Sequence, residues 1–251
     1  MLCHRTPLAA RAVALASVAT LLTGCATSRA GAPAAPRTTL TVLAAASLVD
    51  VFGAEAASYE HDHPGVRIES SFAGSQVLVA QIQAGAPADV LATADTTSMG
   101  LVTHDLVAPA QIFATNRLVI VVRPGNPAHV TGPADLGRAG LVLVLAAPSV
   151  PAGRYALVAL NSAHVRVHPA AYEENVRAVL TTVELGEADA GIVYATDARS
   201  AGHRVTVVPL PTSPVASYPV APLAAAGTGF VAFLLSPAGR RILAAFGFGP
   251  P

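Results

Sequence analysis

From Thr38 onward the chain alternates short apolar runs with amphipathic stretches. TLTVLAA is an apolar run of strand length. In SLVDVFGAEAASYEHDH, Leu48, Phe52, Ala56 and Tyr59 recur at spacings of four, four and three, which is one face of a helix. VRIESSF returns to period two, with Val66, Ile68 and Phe72 on one face, and SQVLVAQIQAG sets Leu78 and Ile82 four apart ahead of a stop at Gly85. DVLAT, RLVIVV, LVLVL, AGIVY and VTVV are further strand candidates. ENVRAVLTTVELG carries Val176, Val179, Leu180 and Val183 on one helical stripe before Gly186. Such alternation predicts an α/β protein with parallel sheets covered by helices. No repeat of fixed period is visible.

With 251 residues, 53% apolar and 12% charged, the chain can bury a sizeable core in one or two domains. Its formal charge is zero and every basic residue is arginine, with no basic run to track a phosphate backbone, so nucleic acid is not an expected partner. The N-terminus differs. Arg5 and Arg11 precede AVALASVATLL, about half the ~20 apolar residues of a spanning helix, and small residues follow it, as in a cleaved export signal. The Leu22-Thr23-Gly24-Cys25 tetrad resembles the lipobox of bacterial lipoproteins, which implies removal of 1–24 and acylation of Cys25. A plain secretory signal with an incidental cysteine is the alternative. Cys3 leaves with the signal, so no disulfide is expected. Two or more acyl chains on Cys25 would hold the protein on the outer face of the cytoplasmic membrane. The small, proline-containing segment 25–37 reads as a flexible tether.

Catalytic patterns are missing: no G-x-S-x-G surrounds Ser47 or Ser75, and there is neither a P-loop nor a G-x-G-x-x-G. His61 and His63 lie two apart at a helix end, while His164 and His168 fall in a weak strand or loop, so no cation site and no cofactor are expected. What recurs is a junction in which a strand ends, a small or hydroxyl residue follows, and a helix begins. Ala46-Ser47-Leu48, Gly74-Ser75-Gln76 and Val150-Pro151-Ala152-Gly153 each place free backbone N–H groups at the carboxyl end of a strand, where anions bind. Taken singly, each is equally an ordinary N-cap or tight turn, and spacing does not show that they converge.

LTVLAAASLVDVF, SSFAGSQVLVAQIQAGAPADVLATAD, SVPAGRYA, NVRAVLTTVELGEADAGIVYATDA and FVAFLLSPAGRRILAAFGF resemble, in this order, the signature segments of the periplasmic molybdate-binding proteins of ABC importers, from Leu40 to Phe248. The resemblance implies a two-lobe type II periplasmic binding fold, with one lobe from 38–116 plus 219–251 and the other from 117–218. It implies an oxyanion held by Ser47, Ser75, the backbone of Ala152 and Val176, and Tyr194. The ligand would be molybdate or tungstate, captured by a monomer and delivered to a permease and through it to an ATPase. The role is delivery rather than catalysis. The last segment is expected to form one C-terminal helix. Two departures stand out: Ala146 and Ala147 precede Pro148 where aspartate and glycine are usual, and Ser98 stands where tryptophan is usual.

In the implied set, the N–H and O–H of both serines, the N–H of Ala152 and Val176 and the phenol of Tyr194 can all donate. A tetrahedral dianion without protons can accept from all of them, with helix N-termini supplying partial positive charge. Hydrogen phosphate would bring a proton with no acceptor, at about 1 to 3 kcal/mol, so phosphate is expected to be rejected. Sulfate has the same charge and would be told apart by size. Gly153 is expected to keep bulk low beside the ligand. Sulfate binding and an extracellular sensing module of the same fold are the alternative functions.

Overall fold

The computed structural model describes residues 38–251; the signal segment, the tether and Cys25 lie outside the described residues. The chain runs β1 (Thr38–Ala45), α1 (Val49–Asp62), β2 (Val66–Ala73), α2 (Ser75–Gln83), β3 (Val90–Ala92), α3 (Thr96–Gly100) and β4 (Gln111–Val122). It continues with β5 (Leu143–Ala146), α4 (Pro151–Ser162), β6 (Ala171–Glu173), α5 (Val176–Glu184), β7 (Ala190–Tyr194), α6 (Ala195–Ala201) and β8 (Thr206–Val208). β9 (Val215–Pro222), α7 (Thr228–Leu235) and α8 (Pro237–Ala245) complete it. This is the α/β alternation that the apolar periodicity predicts.

The strands form one path in the order β2-β1-β3-β9-β4-β7-β5-β6, with β8 added to β4. Parallel ladders occupy both ends, where β1 pairs with β2 and β3, and β5 with β6 and β7. The middle is antiparallel: β9 pairs with β3 and β4, and β4 pairs with β7 and β8. β4 is long because its first half pairs with β9 and its second half with β7. The expected crossings at 116/117 and 218/219 both fall inside these two strands.

Parallel strands buried on both faces read as continuous apolar runs. Leu143, Val144, Leu145 and Ala146 of β5, and all of β7, are buried accordingly. The α5 stripe of Val176, Val179, Leu180 and Val183 is also buried as its spacing predicts. In α1 the buried residues are Val51, Phe52, Glu55 and Tyr59, so a carboxylate stands on the face that packs inward. FVAFLLSPAGRRILAAFGF forms two helices rather than one. Ser236 turns extended (φ −71°, ψ 164°) ahead of Pro237, and its side chain accepts from the N–H groups of Ala238 and Gly239 to start α8. No described helix is long and apolar enough to cross a membrane.

Candidate functional site

Register decides where the junctions meet. β1 and β2 pair with Ala45 opposite Ala73, so Ala46-Ser47 and Gly74-Ser75 leave the sheet side by side. β3 runs beside β1 with Ala92 opposite Ala44, which brings Ala94 next to them. In the other half, β5 pairs with β6 and β7, and the turns after them carry Ala152, Val176 and Tyr194. The carboxyl ends of all six parallel strands therefore face a common space, the place where open α/β sheets bind ligands.

That space is a narrow cavity walled by Ser47, Ser75, Ala152, Val176 and Tyr194 together with small residues from the same turns and Asn175. All five positions singled out in the sequence lie on this one wall. Its volume, about 10 Å³, is far below that of pockets for drug-sized molecules and leaves room for about one water-sized group. All five residues are at most 3% exposed.

The groups behind the wall bear on what each wall residue can offer the cavity. Ser75 opens α2, and its Oγ accepts the Ala94 N–H at 3.0 Å, leaving its own proton for the cavity. The Ser47 Oγ lies 3.0 Å from the Tyr218 phenol oxygen. Asn175 caps α5 by accepting the N–H groups of Arg177 and Ala178 at 2.9 and 3.0 Å, which leaves the N–H of Val176 for another acceptor. Ala152 follows Pro151, which has no N–H, in the first turn of α4, where N–H groups lack helical acceptors. The Tyr194 hydroxyl is buried with no hydrogen-bond partner among the described residues. Burial pushes the Tyr194 and Tyr218 phenols well above the ordinary tyrosine range, so both keep their protons.

Among the described residues no lysine, arginine or carboxylate lines the cavity. Two arginines stand just behind it, each paired with an acid from the other half of the sheet, and Arg177 also with one from its own half. Arg154 Nε binds Asp95 at 2.9 Å, and its Nη2 donates to Ser98 Oγ at 3.0 Å, a contact available because a serine stands at 98. Arg177 binds Asp50 and reaches Asp197 at 2.7 Å. Asp197 accepts the Tyr194 N–H at 3.2 Å, and burial raises its pKa to about 6 against the pull of Arg177. These charges lie outside the cavity wall, so any anion inside meets neutral donors and helix ends. Among the described residues no group of three or more His, Cys, Asp or Glu is placed to hold a metal ion.

Two glycines matter for close approach, and one of them differs from expectation. At Gly74 a Cβ would stand 2.6 Å from the Glu174 carbonyl, so only glycine lets the start of α2 approach the turn before α5. The Gln76 side chain donates to that same carbonyl at 2.9 Å. Gly153 serves the loop rather than a ligand. A Cβ there would run into the carbonyl oxygens of Ala146 and Ala147, and Gly153 is not on the cavity wall. The Ala146-Ala147-Pro148 stretch is held by the Ala147 N–H on the Glu173 carbonyl and the Val150 N–H on the Ala147 carbonyl, both at 2.8 Å. Asn175, Asp95 and Tyr218 escaped the sequence reading. Asn175 and Asp95 are legible as caps, since each is followed by a helix, whereas Tyr218 carries no local signal.

The profile of a family described as bacterial extracellular solute-binding proteins matches residues 40–249. Molybdate-binding protein ModA of Mycobacterium tuberculosis is 39% identical over 241 residues, covering 89% of this chain and 90% of that protein. Among solved structures, the substrate-binding domain described as that of a molybdenum ABC transporter from Clostridium difficile aligns with a TM-score of 0.62 at 27% identity, over 85% of this chain and 99% of that one. The sulfate-binding protein SubI of M. tuberculosis aligns with a TM-score of 0.74 at 21% identity, over 85% and 87%, and shares the fold. This chain therefore belongs to the bacterial extracellular solute-binding proteins, in the family of the ModA proteins.

Proposed function

We propose that this protein captures molybdate, and tungstate with it, in the cavity between the two halves of the sheet and delivers it to the permease of an ABC importer and, through it, to the ATPase. The observation that carries this reading is the convergence of Ser47, Ser75, Ala152, Val176 and Tyr194 on one small wall with no charged side chain. Segments 38–116 plus 219–251 and 117–218 act as two lobes, with the crossings in β4 and β9 as the hinge. An anion that touches donors from both lobes favours the closed form by its differential contacts. Signal cleavage before Cys25 and lipid attachment there keep the protein at the outer face of the cytoplasmic membrane, beside its permease.

The donors account for the selectivity. A hydrogen bond to a charged partner contributes about 1.5 to 3 kcal/mol, and the set gives several at once without a counter-ion to be desolvated. A proton on the ligand would meet only donors. Calorimetric titration with molybdate, tungstate, sulfate and phosphate tests the reading: tight molybdate and tungstate, weaker sulfate and no phosphate are expected. Sulfate bound as tightly as molybdate would replace this reading by sulfate capture, which the shared fold of SubI makes the second candidate.

A further inference from the structure

A hydroxyl donates and accepts, so serines make a site of donors only where something fixes the direction of their protons. For Ser75 the backbone does this through the Ala94 N–H. For Ser47 the only partner among the described residues is the Tyr218 phenol at 3.0 Å, and distance alone leaves the direction open. Burial closes the question. Tyr218 is 0% exposed, and among the described residues Ser47 Oγ makes the closest hydrogen bond to its hydroxyl, with the Asn116 amide and the Tyr194 phenol close by. Were Ser47 to donate, the phenol proton would be left to Asn116, whose Oδ1 already accepts the Arg117 N–H, or to the Tyr194 oxygen, which makes no hydrogen bond among the described residues. With Tyr218 donating, the phenol proton sits on Ser47 Oγ and the serine proton is left for the cavity, so both are placed. The ring cannot swing away, because Tyr194 and Phe248 hold it edge-on with centroids 5.6 Å off on each side.

We propose that Tyr218, which does not line the cavity, is a specificity-determining positioning residue: by donating to Ser47 it locks that serine as a donor and makes the cavity reject oxyanions that carry a proton. The inference rests on the molybdate reading given above. Without the phenol hydroxyl, Ser47 can turn, accept a proton from hydrogen phosphate and donate elsewhere, so discrimination falls while the ring and its packing remain. Tyr218 sits on β9, one of the two crossing strands, so the same residue ties the crossing to the donor set.

The test is calorimetric titration of wild type, Tyr218→Phe, Ser47→Ala and the double variant with molybdate and with inorganic phosphate at pH 7. Tyr218→Phe should weaken molybdate about threefold to tenfold and lower the preference for molybdate over phosphate at least about tenfold. In the Ser47→Ala background the same change should alter that preference by less than about twofold, because the residue acts through Ser47. The preference is a ratio and does not depend on the folded fraction. An unchanged preference in Tyr218→Phe, or an equal change in the Ser47→Ala background, overturns the role of Tyr218 and leaves the molybdate reading standing. A wild type that binds no molybdate overturns both.

Discussion

Glu55 offers a test of the fold that is independent of any ligand. It lies on the inward face of α1, 0% exposed, and neither carboxylate oxygen has a hydrogen-bond partner among the described residues. Burial pushes its pKa from 4.5 up to about 8. At about 1.36 kcal/mol per pH unit, that change couples about 5 kcal/mol to its ionisation, an upper figure because a charged side chain can relax toward water. The folded state holds the proton more tightly than the unfolded chain does. Stability from the neutral carboxyl is therefore fully present below about pH 4.5 and is lost as the pH rises toward about 8. Glu55→Met keeps an unbranched side chain and removes the titration. Urea denaturation of both proteins from pH 5 to 8.5 should show the stability of the variant relative to wild type rising steadily across that window. A fixed packing cost shifts the whole curve, and the other titrating groups, Asp197 included, are common to both proteins. A difference that stays flat with pH would refute the reasoning and mean that the carboxylate is solvated or paired.

Ser75→Ala removes a donor to the anion and the acceptor of the Ala94 N–H, so molybdate binding should weaken by about 1 to 3 kcal/mol in a calorimetric titration; unchanged affinity would remove Ser75 from the site. Gly153→Ala forces a methyl against the Ala146 and Ala147 carbonyls and should lower stability by about 1 to 3 kcal/mol in thermal denaturation, with tolerance excluding the tight loop described here. Asp50→Asn breaks the partly exposed pair with Arg177, which joins α1 to α5 across the cavity. Its cost to molybdate affinity should be at most about 1 kcal/mol at low salt and vanish at high salt, so a loss that persists in high salt would contradict an electrostatic origin.

The apolar periodicity was sufficient for most elements, because a stripe such as Val176, Val179, Leu180 and Val183 is a local property of 3.6 residues per turn. Over the last segment the resemblance implied one helix, yet a local signal for two is present: Ser236-Pro237 divides it by a cap and a missing N–H. The family's segments, quoted in order, were enough to name Ser47, Ser75, Ala152, Val176 and Tyr194, and the chemistry of those residue types was enough to ask for an anion without protons. Their meeting on one wall depends on the pairing of Ala45 with Ala73 and of β5 with β6 and β7, contacts between residues far apart in the chain. So do the partner behind Ser47, 171 positions away, and the burial of Glu55. Periodicity and capping are written within a few residues of the chain and can be read there. The direction of a proton, the room beside a glycine and the affinity of a carboxyl for its proton depend on what distant strands bring alongside, and only the tertiary structure decides them.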